Sequence, residues 1–238
     1  MEVQVKYLLS KLLSYDEIIK NDIKDIGTKA YNVALLSKSF NVPKGVVLRD
    51  LPVDVNEIKK ILNCDKYIVR SSANVEDSSN LSWAGCFDSI PNVSEEELND
   101  AINTCVDSKN NRRVKEYMKL HNVCSEVKIS VIIQEYIESD YNGVAFSTNP
   151  VNGDDSQYVI ELQEGETGNV VGGFGNSETL IIDKKRPVIN STNLDKKTIL
   201  ELIEIIKKIE KIINNRVDIE FLISGGKLFI TQARPITT

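Results

Sequence analysis

The segment RVDIEFLISGGKLFITQARP, close to the end of the sequence, places acidic, amide and guanidinium side chains at regular intervals. Asp218 and Glu220 lie two residues apart on one predicted strand, and Gln232 and Arg234 lie two apart on the next. Strand side chains alternate between faces, so each pair projects to one side of its strand. Carboxylate oxygens bind hard cations such as Mg²⁺, and the planar fork of Arg binds phosphate oxygens. These residues therefore predict a site for metal and phosphate together.

Whether the two pairs share a face depends on the turn at Gly225-Gly226. A hairpin loop with an odd number of residues would bring all four polar side chains to one face. The apolar residues would then divide between the faces, with Leu222, Leu228 and Ile230 beside the polar set and Ile219, Phe221 and Phe229 opposite. The alternative is an amphipathic hairpin whose polar face simply meets water.

Two cationic residues nearer the N-terminus could take part in the same chemistry. Lys29 follows Gly27-Thr28 at a predicted helix start, where unpaired N–H groups and the helix dipole favour anions. Arg70 ends the apolar run KYIVR and precedes two serines, so its fork can bridge phosphate groups and offset charge that develops in transfer. The alternatives are a solvated lysine at a helix start and a surface ion pair of Arg70 with Glu76 or Asp77.

Hydrophobic periodicity indicates the elements that must position these residues. Helices are predicted near residues 2–13, 29–40, 54–62, 94–107, 109–120 and 195–214. Strands are predicted at 45–48, 66–70, 84–89, 127–135, 143–147, 157–162, 179–183, 217–223 and 227–232. Helices and strands that mix without strict alternation favour an α+β protein with two lobes. We expect the lobes to span residues 1–124 and 125–238.

Composition restricts the classes of function. The 238 residues are 41% hydrophobic and 27% charged, as in ordinary globular proteins, and the net charge of −6 argues against a broad nucleic-acid surface. The four cysteines form no Cys-x-x-Cys pair, which predicts free thiols in a reducing compartment. The sequence has no signal-peptide or membrane-span pattern, so we expect a cytoplasmic protein that does not bind membranes. His121, the one histidine, is expected to face solvent at a helix end.

Four segments, taken in order, resemble a known family. They are DIGTKAYNVALLSKSFNVPKGVVLRD, YIVRSSANVEDSSNLSWAGCFDSIPN, VIIQEYIESDYNGVAFSTNP and the closing hairpin. Together they resemble the N-terminal nucleotide-binding domain of pyruvate phosphate dikinase, phosphoenolpyruvate synthase and rifampin phosphotransferase. The resemblance implies an α+β, two-lobed ATP-grasp fold with a nucleotide cleft between the lobes. It also implies ATP and Mg²⁺ as cofactors.

The resemblance implies a role for each candidate residue. Lys29, Arg70 and Arg234 match the positions that hold the nucleotide phosphates and act in catalysis. Gln134 matches the residue near adenine, and Glu135, Tyr136 and Ile137 would follow it as the hinge that reads the base. The metal-binding and terminal-phosphate cluster is matched by Asp218, Glu220, Gln232 and Arg234, of which Asp218, Glu220 and Gln232 would hold the metal.

The sequence also departs from the family pattern. Asn149 stands where the family has an acidic residue in Gly-Val-x-Phe-Thr-x-Asp-Pro, so a charge is lost from that turn. In ELQEGETGNVVGG one family glycine is missing, although Gly165, Glu166 and Gly172 correspond. The Thr-Ser-His-type motif of the swivelling histidine domain and the pyruvate-binding barrel are both absent from this sequence.

Three classes of function remain open. The first is an ATP-dependent phosphotransferase whose acceptor is a small molecule or a histidine on a separately encoded partner protein. The second is an ATP-grasp ligase that forms an acyl phosphate and joins it to an amine. The third is a nucleotide-binding regulatory subunit or pseudo-enzyme of a split dikinase. The dikinase-type motifs favour the first.

Overall fold

The chain was analysed as a computed structural model, which describes residues 11–75, 83, 85–165, 177–191 and 193–236. These residues form two compact units. The first unit holds the described residues up to Ser37 and the segment Pro43–Tyr136. The second holds Lys38–Val42 and the described residues from Ile137 onward.

The first unit is built on a five-stranded antiparallel sheet in the order β1-β2-β5-β3-β4. Its strands are β1 (Leu12–Ser14), β2 (Gly45–Leu48), β3 (Lys66–Ala73), β4 (Ser89–Ser94) and β5 (Ile129–Glu135). Its described helices are α1 (Tyr15–Lys20), α2 (Thr28–Leu36), α3 (Val55–Leu62), α4 (Leu98–Asp107) and α5 (Arg112–Leu120).

Alternation along β3 gives this sheet two different faces. Tyr67 and Val69 point into an apolar core formed with helices α3, α4 and α5. Arg70 and Ser72 alternate with them and therefore lie on the opposite face. Helix α2 packs on that face, where the Ala30 amide donates to Ser72 Oγ at 3.1 Å. The polar candidates of the first unit are thus separated from its apolar core.

The second unit holds another five-stranded antiparallel sheet, in the order β10-β9-β6-β7-β8. The strands are β6 (Tyr141–Phe146), β7 (Gln157–Glu164), β8 (Ser177–Asp183), β9 (Val217–Ser224) and β10 (Lys227–Pro235). Helix α6 (Lys196–Ile213) begins at Asp195, whose side chain accepts from the Thr198 amide, and packs against β9 and β10. Asn41 pairs with the edge strand β10, since its carbonyl accepts from the Ile230 amide at 2.8 Å.

Three expectations about the elements differ from the structure. Part of the predicted helix 2–13 falls outside the described residues, and its end forms strand β1 instead. The strand expected at 84–89 lies at Ser89–Ser94, because a turn at Gly85 precedes it and Arg70 of β3 pairs with Ser89. Residues 125–136, expected in the second lobe, belong to the first unit because β5 pairs on both sides with β2 and β3.

None of the helices in the described part of the chain combines the length and apolar character needed to cross a membrane.

The burial of the cysteines leads to a first prediction. Cys105 is fully buried, and burial raises the pKa of its thiol to about 12, while Cys124 is exposed. At pH 8 only roughly one Cys105 thiol in ten thousand is ionised, and the thiolate is the reactive form. We expect iodoacetamide to modify Cys124 rapidly in the native protein and Cys105 only after unfolding, as measured by peptide mass spectrometry. Equal labelling rates at the two positions would contradict this core packing.

Candidate functional site

The start of helix α2 and the end of strand β3 lie in unusually close contact. Gly27 precedes the helix with φ 81°, and a Cβ there would lie 2.5 Å from Ser72 Oγ and 2.8 Å from the Ala73 carbonyl oxygen. Only glycine allows this approach, because it has no Cβ and adopts positive φ without strain. The first turn of α2 is thereby held against the serines that follow Arg70.

This contact places Lys29 beside the residue that follows Arg70 in the chain. Lys29 Nζ donates to the carbonyl oxygen of Ser71 at 3.1 Å, directly beside Arg70 in the chain. Arg70 is buried, with 8% of its surface exposed, and Lys29 is half-buried. An ammonium group at a helix start and a guanidinium on the neighbouring strand are each of a type that binds anions.

Gln134 lies further along the same face of the first sheet as Arg70. In the strand register, Gln134 pairs with Ile68 and Arg70 pairs with Ile132. Paired residues and residues two apart point to the same face, so Gln134 and Arg70 share one. Gln134 is 1% exposed, and its Nε2 donates to the Pro43 carbonyl oxygen at 3.4 Å. Gln134 thus lies near the end of β5, and its contact with the base stays a prediction.

The residues that follow Gln134 use their backbone donors within the first sheet. The Glu135 amide donates to the Lys44 carbonyl at 2.9 Å, and the Tyr136 amide donates to the Lys66 carbonyl at 2.9 Å. The Glu135 carboxylate accepts from the Lys44 amide at 2.9 Å. A base read at Glu135 or Tyr136 would therefore have to use groups other than these N–H donors. Ile137 belongs to the second unit.

In the second unit, the closing hairpin brings all four predicted polar residues to one face. Glu220 pairs with Gln232, and Asp218 pairs with Arg234. The turn itself holds two residues, Gly225-Gly226, and a bulge between Ile230 and Gln232 supplies the extra residue that corrects the register. The four polar side chains share a face only if one extra residue separates the two pairs. That residue is Thr231, in the bulge, and not a third residue in the loop.

The bulge also changes which apolar residues share the polar face. Before it, Leu228 pairs with Ile223 and Ile230 pairs with Phe221, so both lie on the buried face. Phe229 pairs with Leu222 and lies on the polar side. Leu228 and Ile230 were expected on the polar face and Phe229 on the opposite face, and this placement is wrong. These three residues precede the bulge in β10 whereas Gln232 and Arg234 follow it, so the alternation of faces changes between them. Ile219 and Phe221 occupy the opposite, buried face as expected.

Arg234 and Asp218 form a close ion pair on this face. Arg234 Nε donates to both carboxylate oxygens of Asp218, at 3.0 Å and 2.8 Å. Burial raises the pKa of Asp218, whose side chain is only 11% exposed, and the charge and hydrogen bonds of Arg234 counteract that shift. The Arg234 side chain is 39% exposed, so it reaches the surface of the unit while Asp218 holds its Nε.

The predicted metal set can be judged by its donor atoms. Among the described residues no group of three or more His, Cys, Asp or Glu side chains could hold a metal ion. Asp218, Glu220 and Gln232 instead offer carboxylate and amide oxygens from adjacent strands, on one face of the sheet. Mg²⁺ is commonly bound by one or two carboxylates together with substrate phosphates and water. The donor set fits such an ion.

Asn149 has a structural role in the turn after β6. Its Nδ2 donates to Gln157 Oε1 at 2.7 Å, and its Oδ1 accepts from the Val151 amide at 3.0 Å. The Asn149 amide both donates and accepts in this way, whereas an ionised Asp only accepts. A carboxylate does stand nearby: Asp155 accepts two hydrogen bonds from Arg216, at 2.7 Å and 2.8 Å, and another from Thr148 at 2.7 Å.

Of the other sequence candidates, His121 directly follows helix α5, which packs on the opposite face of the first sheet from Arg70. It is exposed at the end of that helix, and its ring lies 4.3 Å from the Tyr117 ring, centroid to centroid, with the two planes tilted by 38°. Glu76, Asp77, Glu166 and Gly172 lie outside the described residues. Sequence reasoning missed two positions. A Cβ on Gly45 would lie 2.8 Å from Gln134 Cγ, a close contact that VPKG did not reveal although it marked the turn, and the bulge at Thr231 has no signal in the sequence.

The structure thus defines an α+β protein in which each unit presents polar, charged side chains from one face of its sheet. The chain belongs to the family described as pyruvate phosphate dikinase, AMP/ATP-binding domain, whose model matches residues 11–199 and 189–238. Membership confirms the resemblance, and the two antiparallel sheets with their helices confirm the expected α+β class with two units.

The individual relatives have low sequence identity to this chain and are much longer proteins. The Bacillus subtilis (strain 168) protein named uncharacterized phosphotransferase YvkC is 32% identical over 200 residues, which cover 71% of this chain and 24% of that protein. Phosphoenolpyruvate synthase of Pyrococcus furiosus is 25% identical over 268 residues, covering 94% of this chain and 33% of that protein. The chain therefore spans between a quarter and a third of the length of these relatives.

Among solved structures, D-alanine-D-alanine ligase from Helicobacter pylori matches with a TM-score of 0.48 and 14% identity. The match covers 93% of this chain and 60% of that one.

Proposed function

We propose that this chain binds Mg–ATP and transfers a phosphoryl group from it to an acceptor. In a dikinase-type reaction, ATP, water and the acceptor give AMP, phosphate and the phosphorylated acceptor. The acceptor is a small molecule or a histidine on a separately encoded partner protein. The names of the relatives, a phosphotransferase and phosphoenolpyruvate synthases, support this class.

The observation that carries the proposal is the corrected register of the closing hairpin. It aligns Glu220 with Gln232 and Asp218 with Arg234 on one face, in a chain of the AMP/ATP-binding family. Phosphoryl transfer asks mainly for positioning and charge stabilisation, which these groups can provide.

The residues of each unit have separate roles in this proposal. In the first unit Lys29 and Arg70 bind phosphate oxygens, and Gln134 contacts the base, with Glu135, Tyr136 and Ile137 following it. In the second unit Arg234 binds the transferring phosphoryl group, helped by Gln232. Asp218, Glu220 and Gln232 would hold Mg²⁺, which, when bound, neutralises charge on the phosphate oxygens.

The test is to identify the products formed from ATP and Mg²⁺ with and without candidate acceptors, by phosphorus NMR. We expect AMP and phosphate together with a phosphorylated acceptor. ADP accompanied by a new amide bond would replace the proposal with a ligase. Tight ATP binding without turnover on any acceptor would replace it with a regulatory subunit.

A matched pair of variants tests the metal-binding role. Glu220→Gln keeps the shape of the side chain and removes its charge, so we expect the Mg²⁺ concentration for half-maximal turnover to rise about tenfold. Glu161→Gln is the control, because Glu161 is exposed on the same face but separated from Glu220 by strand β6. Equal shifts in both variants would show that the effect is one of general surface charge.

A further inference from the structure

Asp88, the residue immediately before strand β4, is tied to the start of helix α5 by its side chain. One carboxylate oxygen accepts from Asn111 Nδ2 at 2.8 Å, and the other accepts from Arg113 Nη2 at 3.1 Å. Asn111 directly precedes α5, and Arg113 is the second residue of that helix. The Asp88 side chain is only 27% exposed, and the dipole of a helix favours a carboxylate at its N-terminus. Helix α5 thereby holds the backbone of Asp88 in place.

The Asp88 backbone in turn holds Ser71. The Asp88 carbonyl oxygen accepts from the Ser71 amide at 3.1 Å and from the Ser71 hydroxyl at 2.8 Å. Ser71 is 1% exposed, so both donors would lose their partner without gaining water if this carbonyl moved away. The position of Ser71 is therefore coupled to that of Asp88.

The carbonyl oxygen of Ser71 is the acceptor for Lys29 Nζ, at 3.1 Å. In an antiparallel strand the N–H and C=O of one residue point to the same side. The Ser71 carbonyl thus points to the β4 side of β3, beyond Arg70 and Ser89, the last pair of these two strands. Because strand pairing ends there, this carbonyl can accept from the ammonium group. Hydrogen bonds therefore link Asp88, through Ser71, to Lys29.

We propose that Asp88 is a positioning residue of the phosphate-binding set: it holds the Ser71 carbonyl where that group keeps Lys29 Nζ in place to bind a nucleotide phosphate. A lysine has a long flexible stem, so fixing its end beforehand lowers the conformational entropy lost on binding. The carboxylate itself would repel a phosphate, and it is directed instead at Asn111 and Arg113. This inference rests on the proposed function, in which Lys29 binds phosphate oxygens.

The first test follows Lys29 without any nucleotide. A limiting amount of acetic anhydride is added to the native protein, and peptide mass spectrometry gives the acetylation rate at each lysine. In Asp88→Ala we expect Lys29 to be acetylated about threefold faster than in the wild type, because its amine loses a fixed acceptor. Lys20, exposed on helix α1, is the internal reference and should keep its rate. An unchanged rate at Lys29 overturns the proposal.

The second test measures ATP binding, in Mg²⁺, by isothermal titration calorimetry. Asp88→Ala is expected to bind ATP about fivefold more weakly than the wild type. In a Lys29→Met background the same substitution should cause no further loss, because Asp88 acts through the ammonium group that is already gone. A loss that persists in full without Lys29 would show that Asp88 acts on another group, and would contradict the proposal.

Two neighbouring arginines allow the test to be made at the surface, where folding is not at risk. Arg113→Ala removes one donor to the Asp88 carboxylate, and the Arg113 side chain is 64% exposed. Arg112→Ala is the matched control, since it removes the same charge from the same helix, but Arg112 bonds to Glu116 within that helix. Arg113→Ala should weaken ATP binding and speed Lys29 acetylation by about twofold each, and Arg112→Ala should change neither.

The outcomes separate this inference from the function on which it rests. A wild-type chain that binds no ATP overturns the proposed function, and the nucleotide role of Asp88 with it, whatever the acetylation rates. A chain that binds ATP equally well as wild type and as Asp88→Ala overturns only the role of Asp88. Equal losses in Arg112→Ala and Arg113→Ala would also overturn that role, because they would reflect the charge of helix α5 alone.

Discussion

Arg234→Ala is expected to lose turnover by on the order of 10²–10³-fold and to unfold more easily than the wild type. The first effect follows from its proposed contact with the transferring phosphoryl group. The second follows from its contact with Asp218, a carboxylate that burial already disfavours. Breaking a fully buried pair costs about 3–5 kcal/mol, and we expect about 2 kcal/mol here because the arginine is partly exposed.

The companion variant separates the two effects of Arg234. Asp218→Asn in the Arg234→Ala background removes the stranded charge, so urea unfolding should return most of the way to wild-type stability while turnover stays lost. Because the unfolding measurement needs no substrate, it tests the ion pair even without a known acceptor. An unchanged urea midpoint in Arg234→Ala would show that the pair adds no stability. Turnover regained in the double variant would show that Arg234 acts only by neutralising Asp218.

The ion pair illustrates what the sequence could not predict about the second unit. The two-residue spacing of Asp218 and Glu220, and of Gln232 and Arg234, correctly predicted which side chains project together from each strand. Their alignment across the hairpin depended on a bulge at Thr231, and a bulge is set by local backbone geometry that the sequence pattern does not encode. The same bulge explains why the apolar residues on the near side were assigned to the wrong face.

In the first unit, most of the elements were predictable and their contacts were not. Periodicity and the runs KYIVR and VKISVIIQEYI located the strands that carry Arg70 and Gln134. The position of Tyr15 was not predicted, because a strand and a short helix replace the single N-terminal helix that the pattern indicated. The Tyr15 hydroxyl lies against Gly45, which is far away in sequence, and such contacts follow from tertiary packing that a single sequence does not display.

Gly27→Ala, which replaces one hydrogen with a methyl group, is expected to destabilise the first unit strongly. Gly27 has φ 81° and ψ 150°, a region used almost only by glycine, and forcing another residue into it costs about 1–3 kcal/mol. The new Cβ would also overlap Ser72 Oγ at 2.5 Å and the Ala73 carbonyl at 2.8 Å. We therefore expect a loss of about 3 kcal/mol in the free energy of unfolding, measured in urea.

The same substitution should weaken ATP binding, since the helix start that carries Lys29 must move away from strand β3. Gly153→Ala is the matched control: Gly153 also has positive φ, at 71°, but a Cβ there would meet no atom within 4 Å. It should cost only about 1 kcal/mol, the usual penalty of the left-handed conformation, and leave ATP affinity unchanged. Ser72→Ala added to Gly27→Ala should recover only part of the stability, because the Ala73 carbonyl still blocks the Cβ. If Gly27→Ala and Gly153→Ala prove equally stable, the close contact between helix α2 and strand β3 does not determine the stability of the first unit.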